Sequence, residues 1–247
     1  MDELTQDDKM ILELHEKSSR FRRNAPDKNN IPAVFKKINA KKISLPKDFE
    51  KSKLNVEDAI TRRVSWREFK GSMDLKEVSK VLYYSKGFKG LADSEFGIVQ
   101  RTNAPSAGSR HSIEIYLVLQ RVNGIEDGIY HYDNENHALE TITEEKFSDK
   151  ELELLYYGKK NLFRANMLIF MTAIYTRSSW KYGSRAYRFI NLEAGHICQN
   201  IYLISEAMGL GCCAIGSWND EALSNLIKID PRKEIAVYSA AVGSKGI

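Results

Sequence analysis

The sequence predicts an α+β fold, and three observations support this prediction. Strand-like apolar segments separated by short turns follow one another between residues 113 and 142, a pattern typical of a meander. Residues 166–175 form an almost unbroken apolar run, as expected for a central strand buried on both faces. The third observation is a stripe of apolar residues at helical steps of three and four, namely Ile190, Ala194, Ile197, Ile201, Ile204 and Met208.

Length and composition indicate an ordinary globular chain. Its 247 residues carry a net charge of +4, with 43% apolar and 28% charged residues, which suits one substantial domain. Residues 1–55 are rich in charge and interrupted by prolines. We therefore expect an N-terminal arm of residues 1–55 that wraps a domain of residues 56–247.

The same composition limits which partners and which cell compartment we expect for this protein. We expect no nucleic-acid partner, because no recognised motif accompanies the modest charge. We expect no membrane association, since the N-terminus is polar and no apolar run approaches membrane-spanning length. The three cysteines lack disulfide and metal-ligand spacing, so we expect a cytoplasmic protein with reduced cysteines and no metal.

The other elements follow from local patterns. A short helical pattern surrounds residues 10–14, a short edge contact is predicted at 43–46, and Asp74 can cap a helix that reaches about residue 86. Residues 101–111 are small and polar and predict a loop. Further strands are predicted at 113–122, 128–132, 137–142, 212–215 and 235–242, and further helices at 148–155 and 219–227.

Polar residues interrupt the long helix in register. Glu193, His196 and Asn200 are three and four residues apart and share one side. They predict either a hydrogen-bonded seam against another helix or another subunit, or a catalytic role for His196. Lys181 and Tyr182 stand just before this helix, so we expect them at its N-terminus, where anions and flavins bind well.

Three further stretches carry polar groups whose role the residues alone leave open. Residues 62–69, RRVSWREF, could grip a phosphate through guanidinium groups, or form a solvated surface. Residues 105–111, PSAGSRH, could let a planar ligand approach the backbone, or merely connect two elements. The basic cluster at residues 20–23 is interpreted as a solvated surface.

Short motifs in a fixed order resemble those of one enzyme family. They stand at residues 15–18, 43–46, 62–69, 82–87, 105–111, 114–117, 128–132, 180–188, 193–196 and 209–211. Together they resemble the SagB-type dehydrogenases, flavin-dependent members of the nitroreductase superfamily that oxidise azoline rings in thiazole/oxazole-modified peptides. The resemblance implies a nitroreductase-like fold, with a central, mainly antiparallel sheet flanked by helices, in an intertwined homodimer with FMN at the interface. Ser112 departs from the pattern, because a proline is common there.

The resemblance also implies roles for individual residues. Lys181 and Tyr182 match the pair implicated in azoline oxidation, in which FMN takes a hydride, the pair takes the proton and dioxygen reoxidises the flavin. The cofactor-binding positions that it implies are Arg62, Arg63, Ser65, Arg67 and Lys245 at the phosphate end, Pro105, Ser106, Gly108, Arg110 and His111 beside the ring, and Ile215, Gly216 and Ser217 facing the hydride-accepting nitrogen.

The implied partners are a precursor peptide, a cyclodehydratase of the YcaO type and peptide-binding subunits of a synthetase complex. Two other functions stay open. One is a general NAD(P)H-dependent nitro- or quinone reductase on the same fold. The other is a catalytically silent subunit that scaffolds a cyclodehydratase complex.

Overall fold

The structure is a computed structural model that describes residues 4–19, 25–144, 148–157, 162 and 164–245. Its helices are α1 (Gln6–Ser19), α2 (Val56–Arg62), α3 (Leu75–Lys86), α4 (Asp149–Leu155), α5 (Thr176–Tyr182), α6 (Ala186–Ala207) and α7 (Asp220–Leu226). Its strands are β1 (Lys42–Ser44), β2 (Met73–Asp74), β3 (Phe88–Ser94), β4 (Gly97–Thr102), β5 (Ile113–Leu119), β6 (Val122–Asn123), β7 (Gly128–Asp133), β8 (Ala138–Thr143), β9 (Met167–Ala173), β10 (Leu210–Ile215) and β11 (Ile235–Ser244).

One seven-stranded sheet organises the domain, in the order β1-β8-β7-β5-β9-β11-β10. All of its strand pairs are antiparallel. The apolar run at 166–175 becomes β9, which lies between β5 and β11 and is buried along its whole length. The predicted α+β class, with a mainly antiparallel sheet flanked by helices, is confirmed.

Helices cover both faces of this sheet. Side chains of β9 alternate between the two, since Ile169 packs with buried residues of α3 and α6, whereas Phe170 packs with those of α4 and α7. The apolar stripe of α6 faces the sheet, with Ile197 and Ile201 fully buried. The helix is thereby fixed across the sheet, and its two flanks are left to meet other parts of the chain.

Three elements differ from the sequence-based expectations. The single strand expected at 113–122 is divided into two strands, β5 and β6, because Arg121 adopts a positive φ of 52° between them. β6 pairs in parallel with β2 in a separate small sheet. The loop expected from residue 101 begins at 103, since 101 and 102 belong to the β3–β4 hairpin. Lys181 and Tyr182 form the last turn of α5, a short helix that the sequence did not indicate, instead of only preceding α6.

The first part of the chain lies on the surface of the domain. Ser184 Oγ donates to Lys17 O at the end of α1 at 2.7 Å, and Arg177 Nε donates to Ala33 O at 2.9 Å. β1 pairs with β8, which confirms the edge contact. The boundary at residue 55 stays a prediction, and the basic cluster at 20–23 lies outside the described residues. Within the described ranges, we find no helix with the length and apolar character needed to cross a bilayer.

Candidate functional site

The arginine-rich segment packs against the C-terminal half of α6. Ser65 Oγ lies 2.9 Å from Tyr202 Oη, and the guanidinium of Arg63 lies 5.3 Å from the centroid of the Tyr202 ring. Arg67 Nη1 donates to Ser65 O at 3.2 Å. This segment therefore gathers two guanidinium groups and a hydroxyl, donors that suit a phosphate.

Lys245 joins this segment from the far end of the sequence. Its Nζ lies 5.5 Å from the centroid of the Trp66 ring and 3.2 Å from a carboxylate oxygen of Glu206 on α6. The backbone of Trp66 donates to Cys212 O at 2.8 Å, which aligns the segment with β10. Arg63, Ser65, Arg67 and Lys245 are called the cationic cluster below.

Arg62 stands apart from the cationic cluster. It ends α2, is exposed, and pairs with Asp58 one helical turn away at 3.4 Å. Such exposed pairs stabilise a helix only weakly. Arg62 is thus placed to support α2, and no contact ties it to Ser65.

Ile215, Gly216 and Ser217 leave the end of β10, an edge strand of the sheet. Ile215 is buried, whereas Gly216 and Ser217 are exposed. Tyr202 Oη accepts a hydrogen bond from Ala214 N at 2.7 Å. The segment is therefore on the same side of α6 as the cationic cluster, with its backbone open to solvent.

Lys181 and Tyr182 meet the loop of residues 105–111, called the glycine loop below. Gly108 has a φ of 56°, and a Cβ built on it would overlap the Tyr182 hydroxyl and lie 3.1 Å from Lys181 Nζ. Only glycine combines this φ with so close an approach. The structure thus brings the Lys-Tyr pair and the glycine loop into one place.

A cavity of about 340 Å³ opens beside this contact. Lys181, Arg110 and Ser109 line one side, and the tip of the β3–β4 hairpin, with Glu95 and Phe96, lines the other. The cavity has both charged and apolar walls, as small-molecule or peptide side-chain sites commonly do.

Glu193 anchors the glycine loop to α6. Its buried carboxylate accepts hydrogen bonds from Ser106 Oγ at 2.7 Å and from Ser112 N at 3.2 Å. Burial raises its pKa, and the positive charge of Lys86 opposes this. His196 contacts Pro105 O at 3.2 Å, and Asn200 donates to Ser85 O on α3 at 3.2 Å. The predicted polar seam is therefore present, and within one chain it holds the loop and α3.

His111 is buried at the end of the glycine loop and is not among the residues that line the cavity beside Lys181. Its side chain is 4% exposed, and its Nδ1 lies 3.4 Å from Thr102 Oγ1. Burial, reinforced by the charge of Lys86, lowers the pKa of His111 to about 3. The imidazole is therefore neutral near pH 7 and braces the loop.

Arg110 is buried although it lines the cavity. Its Nε donates to Arg177 O at 3.2 Å, and its guanidinium lies 4.8 Å from the centroid of the Trp180 ring. Nη1 has no hydrogen-bond partner among the described residues. Burial lowers the pKa of Arg110, but the group stays charged at every ordinary pH. It supplies a fixed positive charge next to Lys181.

The helix α6 separates these groups. Glu193 holds the glycine loop on one flank, and Tyr202 holds Ser65 on the other. Nine residues correspond to about two and a half helical turns. Within one chain, the cationic cluster and the glycine loop are therefore on opposite flanks of one helix.

Residues 60–244 match the model of the nitroreductase family. The chain belongs to this family. Similar proteins support this family. One of them is MJ1384 of Methanocaldococcus jannaschii, which is named as a nitroreductase. It is 33% identical over 82% of this chain and 96% of its own length. The trifolitoxin-processing protein TfxB of Rhizobium leguminosarum is 30% identical over 58% of this chain, which covers 39% of TfxB.

Solved structures show the same fold. A protein from Anabaena variabilis named as a nitroreductase aligns with a TM-score of 0.74 at 24% identity, over 94% of this chain but 46% of its own. A chain of the Escherichia coli microcin synthetase McbBCD complex with truncated pro-MccB17 aligns with a TM-score of 0.62 at 18% identity, over 97% and 93%. The nitroreductase-superfamily membership that the motifs implied is confirmed.

Two residues of this site were not found from the sequence. Tyr202 and Phe96 carry contacts to the predicted residues, yet each is an aromatic residue in an ordinary helical or turn context. Glu193 was found as part of a polar seam, but its partner was not. A buried carboxylate in an apolar helix was the available signal, because such a group needs donors from elsewhere in the fold.

Proposed function

We propose that this chain is an FMN-dependent dehydrogenase that oxidises thiazoline or oxazoline rings of a ribosomally made peptide to azoles. The observation that carries the proposal is the Lys181–Tyr182 pair, held against the backbone of Gly108 beside a cavity. The names of similar proteins support the substrate class. TfxB is a trifolitoxin-processing protein, and the McbBCD structure contains truncated pro-MccB17.

The residues present suit both the phosphate end and the ring end of an FMN molecule. The cationic cluster offers guanidinium, ammonium and hydroxyl donors, which match a phosphate dianion. The glycine loop brings its backbone close to other groups because Gly108 lacks a side chain, as a planar ring system requires. When bound, FMN supplies the acceptor for the hydride, which no protein side chain can provide.

The separation of the two groups by α6 supports a homodimer. If each site used the cationic cluster of one chain and the glycine loop of its partner, a two-fold axis would generate two equivalent sites. Exposed apolar side chains of α6, Tyr187 and Leu192, lie on the helix that carries Glu193 and suit a contact with a second copy. We therefore propose that the functional unit is a homodimer with both sites shared.

The chain's own residues would handle the proton. Aromatising an azoline removes one hydride and one proton, and the proton must reach a base within hydrogen-bond distance. Lys181 Nζ and Tyr182 Oη both border Gly108, so one can accept the proton while the other orients the ring. The fixed charge of Arg110 lines the same cavity and can orient a peptide carbonyl.

The substrate class implies further partners. Azolines form in a peptide by cyclodehydration, so we propose that the chain works with a YcaO-type cyclodehydratase and peptide-binding subunits. We place this work in the cytoplasm, since all three cysteines are buried and none of them forms a disulfide within the described residues. Dioxygen is the proposed final electron acceptor.

A second candidate is a general NAD(P)H-dependent nitro- or quinone reductase. It is favoured by MJ1384, which is a nitroreductase by name and matches over nearly its whole length. This reductase needs no base beside the ring, and substitution of Lys181 would leave it active. The third possibility, a silent scaffold subunit, predicts that no flavin binds at all.

Anaerobic flavin spectroscopy separates these functions. The FMN-loaded protein is mixed with an azoline-containing peptide, without NAD(P)H, and the visible flavin absorbance is followed. We expect bleaching that air reverses. If the peptide leaves the flavin absorbance unchanged and only added NAD(P)H bleaches it, the result would favour the reductase and contradict azoline oxidation. Failure to bind FMN would favour the scaffold.

A further inference from the structure

The β3–β4 hairpin places an aromatic ring at the candidate site. Among the described residues its two strands pair only with each other. Its turn is closed by Ser94, whose Oγ donates to Gly97 O at 2.6 Å and accepts from Phe96 N at 3.2 Å. Phe96 stands at the tip of this turn and is half-buried. The hairpin, a separate small sheet, therefore places this side chain in the wall of the cavity.

The ring of Phe96 lies against Lys181. The ammonium nitrogen is 4.2 Å from the ring centroid, well within the range of a cation–π contact. The Trp180 ring meets Phe96 edge-on, at 6.0 Å between centroids. Since Lys181 Nζ also borders Gly108, it is enclosed between the hairpin tip and the glycine loop.

The N-terminal segment fixes the hairpin in this position. Gln100 Nε2 on β4 donates to Val34 O at 3.1 Å. Phe35 meets Phe88 edge-on at 5.5 Å. Ile31 packs against the turn at Gly97. These contacts surround the base and the turn of the hairpin, so that the place of Phe96 is determined by the fold.

We propose that Phe96 is a positioning residue for Lys181 in azoline oxidation, an inference that rests on the proposed function. An aromatic face attracts an ammonium but gives a neutral amine no such attraction. Taking the proton from one azoline ring carbon would turn the Lys181 amine into an ammonium, while the hydride would leave the neighbouring ring carbon for the acceptor that bound FMN supplies. The Phe96 ring stabilises this ammonium and holds it at the mouth of the cavity.

Phe96→Leu tests the proposal, and Leu91→Ala, at an exposed residue of β3 in the same hairpin, is the control. With a saturating azoline peptide under anaerobic conditions, Phe96→Leu should slow flavin reduction about three- to tenfold. FMN affinity and the KM for the peptide should stay unchanged. Phe96→Tyr should restore the rate, and Leu91→Ala should leave it near the wild-type value.

A second readout does not depend on activity. Competitive amine labelling followed by mass spectrometry compares the reactivity of Lys181 with that of exposed Lys9 in the same chain. Phe96→Leu should raise the labelling of Lys181 about threefold or more, because the ring that lies over Nζ no longer covers it. Leu91→Ala should leave the labelling of Lys181 unchanged.

Equal labelling of Lys181 in wild type and Phe96→Leu would overturn the contact. An unchanged rate of flavin reduction with raised labelling would overturn the role in oxidation. If the wild-type protein does not oxidise azolines, the proposed function fails, and Phe96 then has no oxidation to serve, whatever the labelling shows.

Discussion

Glu193 and Tyr202 lie on opposite flanks of α6, and each fixes one half of the candidate site. Glu193 accepts from Ser106 in the glycine loop at 2.7 Å, whereas Tyr202 meets Ser65 in the cationic cluster at 2.9 Å. Both contacts join residues far apart in the sequence. The helix α6 therefore fixes the positions of both the glycine loop and the cationic cluster.

Removing the Lys-Tyr pair should stop azoline oxidation without loss of the flavin. We expect Lys181→Ala to lower the rate of flavin reduction by azoline peptide about 100-fold or more, and Tyr182→Phe to lower it less, because a base typically contributes factors of this size. FMN content, measured by absorbance after gel filtration, serves as the control. Near-normal oxidation in both variants would contradict the assignment.

The cationic cluster should govern affinity for FMN. Arg63→Ala and Arg67→Ala should each weaken binding about tenfold, as expected when a charged hydrogen bond to phosphate is lost. Fluorescence titration of the apoprotein measures this. Arg62→Ala is the matched control and should bind FMN normally, since Arg62 pairs with Asp58 at 3.4 Å outside the cluster. An equal loss for all three arginines would argue for a general charge effect.

Glu193 should stabilise the fold through the glycine loop. In Glu193→Ala, the donors at Ser106 and Ser112 would lose a buried acceptor. We expect the free energy of unfolding to fall by about 2–4 kcal/mol, measured by urea denaturation. His196→Ala changes an exposed residue of the same seam and should cost much less. A loss below that of His196→Ala would show that the carboxylate does not anchor the loop.

His111 should make stability depend on pH. Its pKa is lowered to about 3 by burial, so the unfolded chain binds a proton more readily than the folded chain. The contribution of His111 to the free energy of unfolding is therefore fully present above the unfolded pKa of about 6.5. It is lost as the pH falls from there toward 3, by about 1.4 kcal/mol per pH unit. His111→Asn should reduce the pH slope of the unfolding free energy by about one proton between pH 6 and 4. An unchanged slope would contradict a buried neutral imidazole.

The core of the fold was predictable from local patterns. β9 and α6 were found because each is a long segment whose burial follows from its own apolar periodicity. α5 was missed, since a helix of seven residues with serine, arginine and tryptophan carries no clear periodicity. The β3–β4 hairpin was missed because its strands are largely exposed and do not alternate regularly.

The candidate site was predictable in its residues but not in its arrangement. The motifs named Lys181, Gly108 and Ser65, and the first two are neighbours in the structure. That Ser65 lies across α6 from them depends on the direction of the helix over the sheet, which only long-range packing determines. Local sequence carries no signal for this relationship.

Complementation between two variants with defects in different halves of the site, assayed at an FMN concentration too low to load the arginine variant, tests the shared site most directly. Lys181→Ala chains are mixed with Arg63→Ala/Arg67→Ala chains, partially unfolded and refolded together, and assayed for azoline oxidation. If each site combines the cationic cluster of one chain with the glycine loop of its partner, one of the two sites in every mixed dimer has only wild-type residues. Random pairing makes about half of the dimers mixed, so about a quarter of the wild-type activity should return. If each site lay within one chain, every site would keep a defect. No recovery in verified mixed dimers would contradict the shared site.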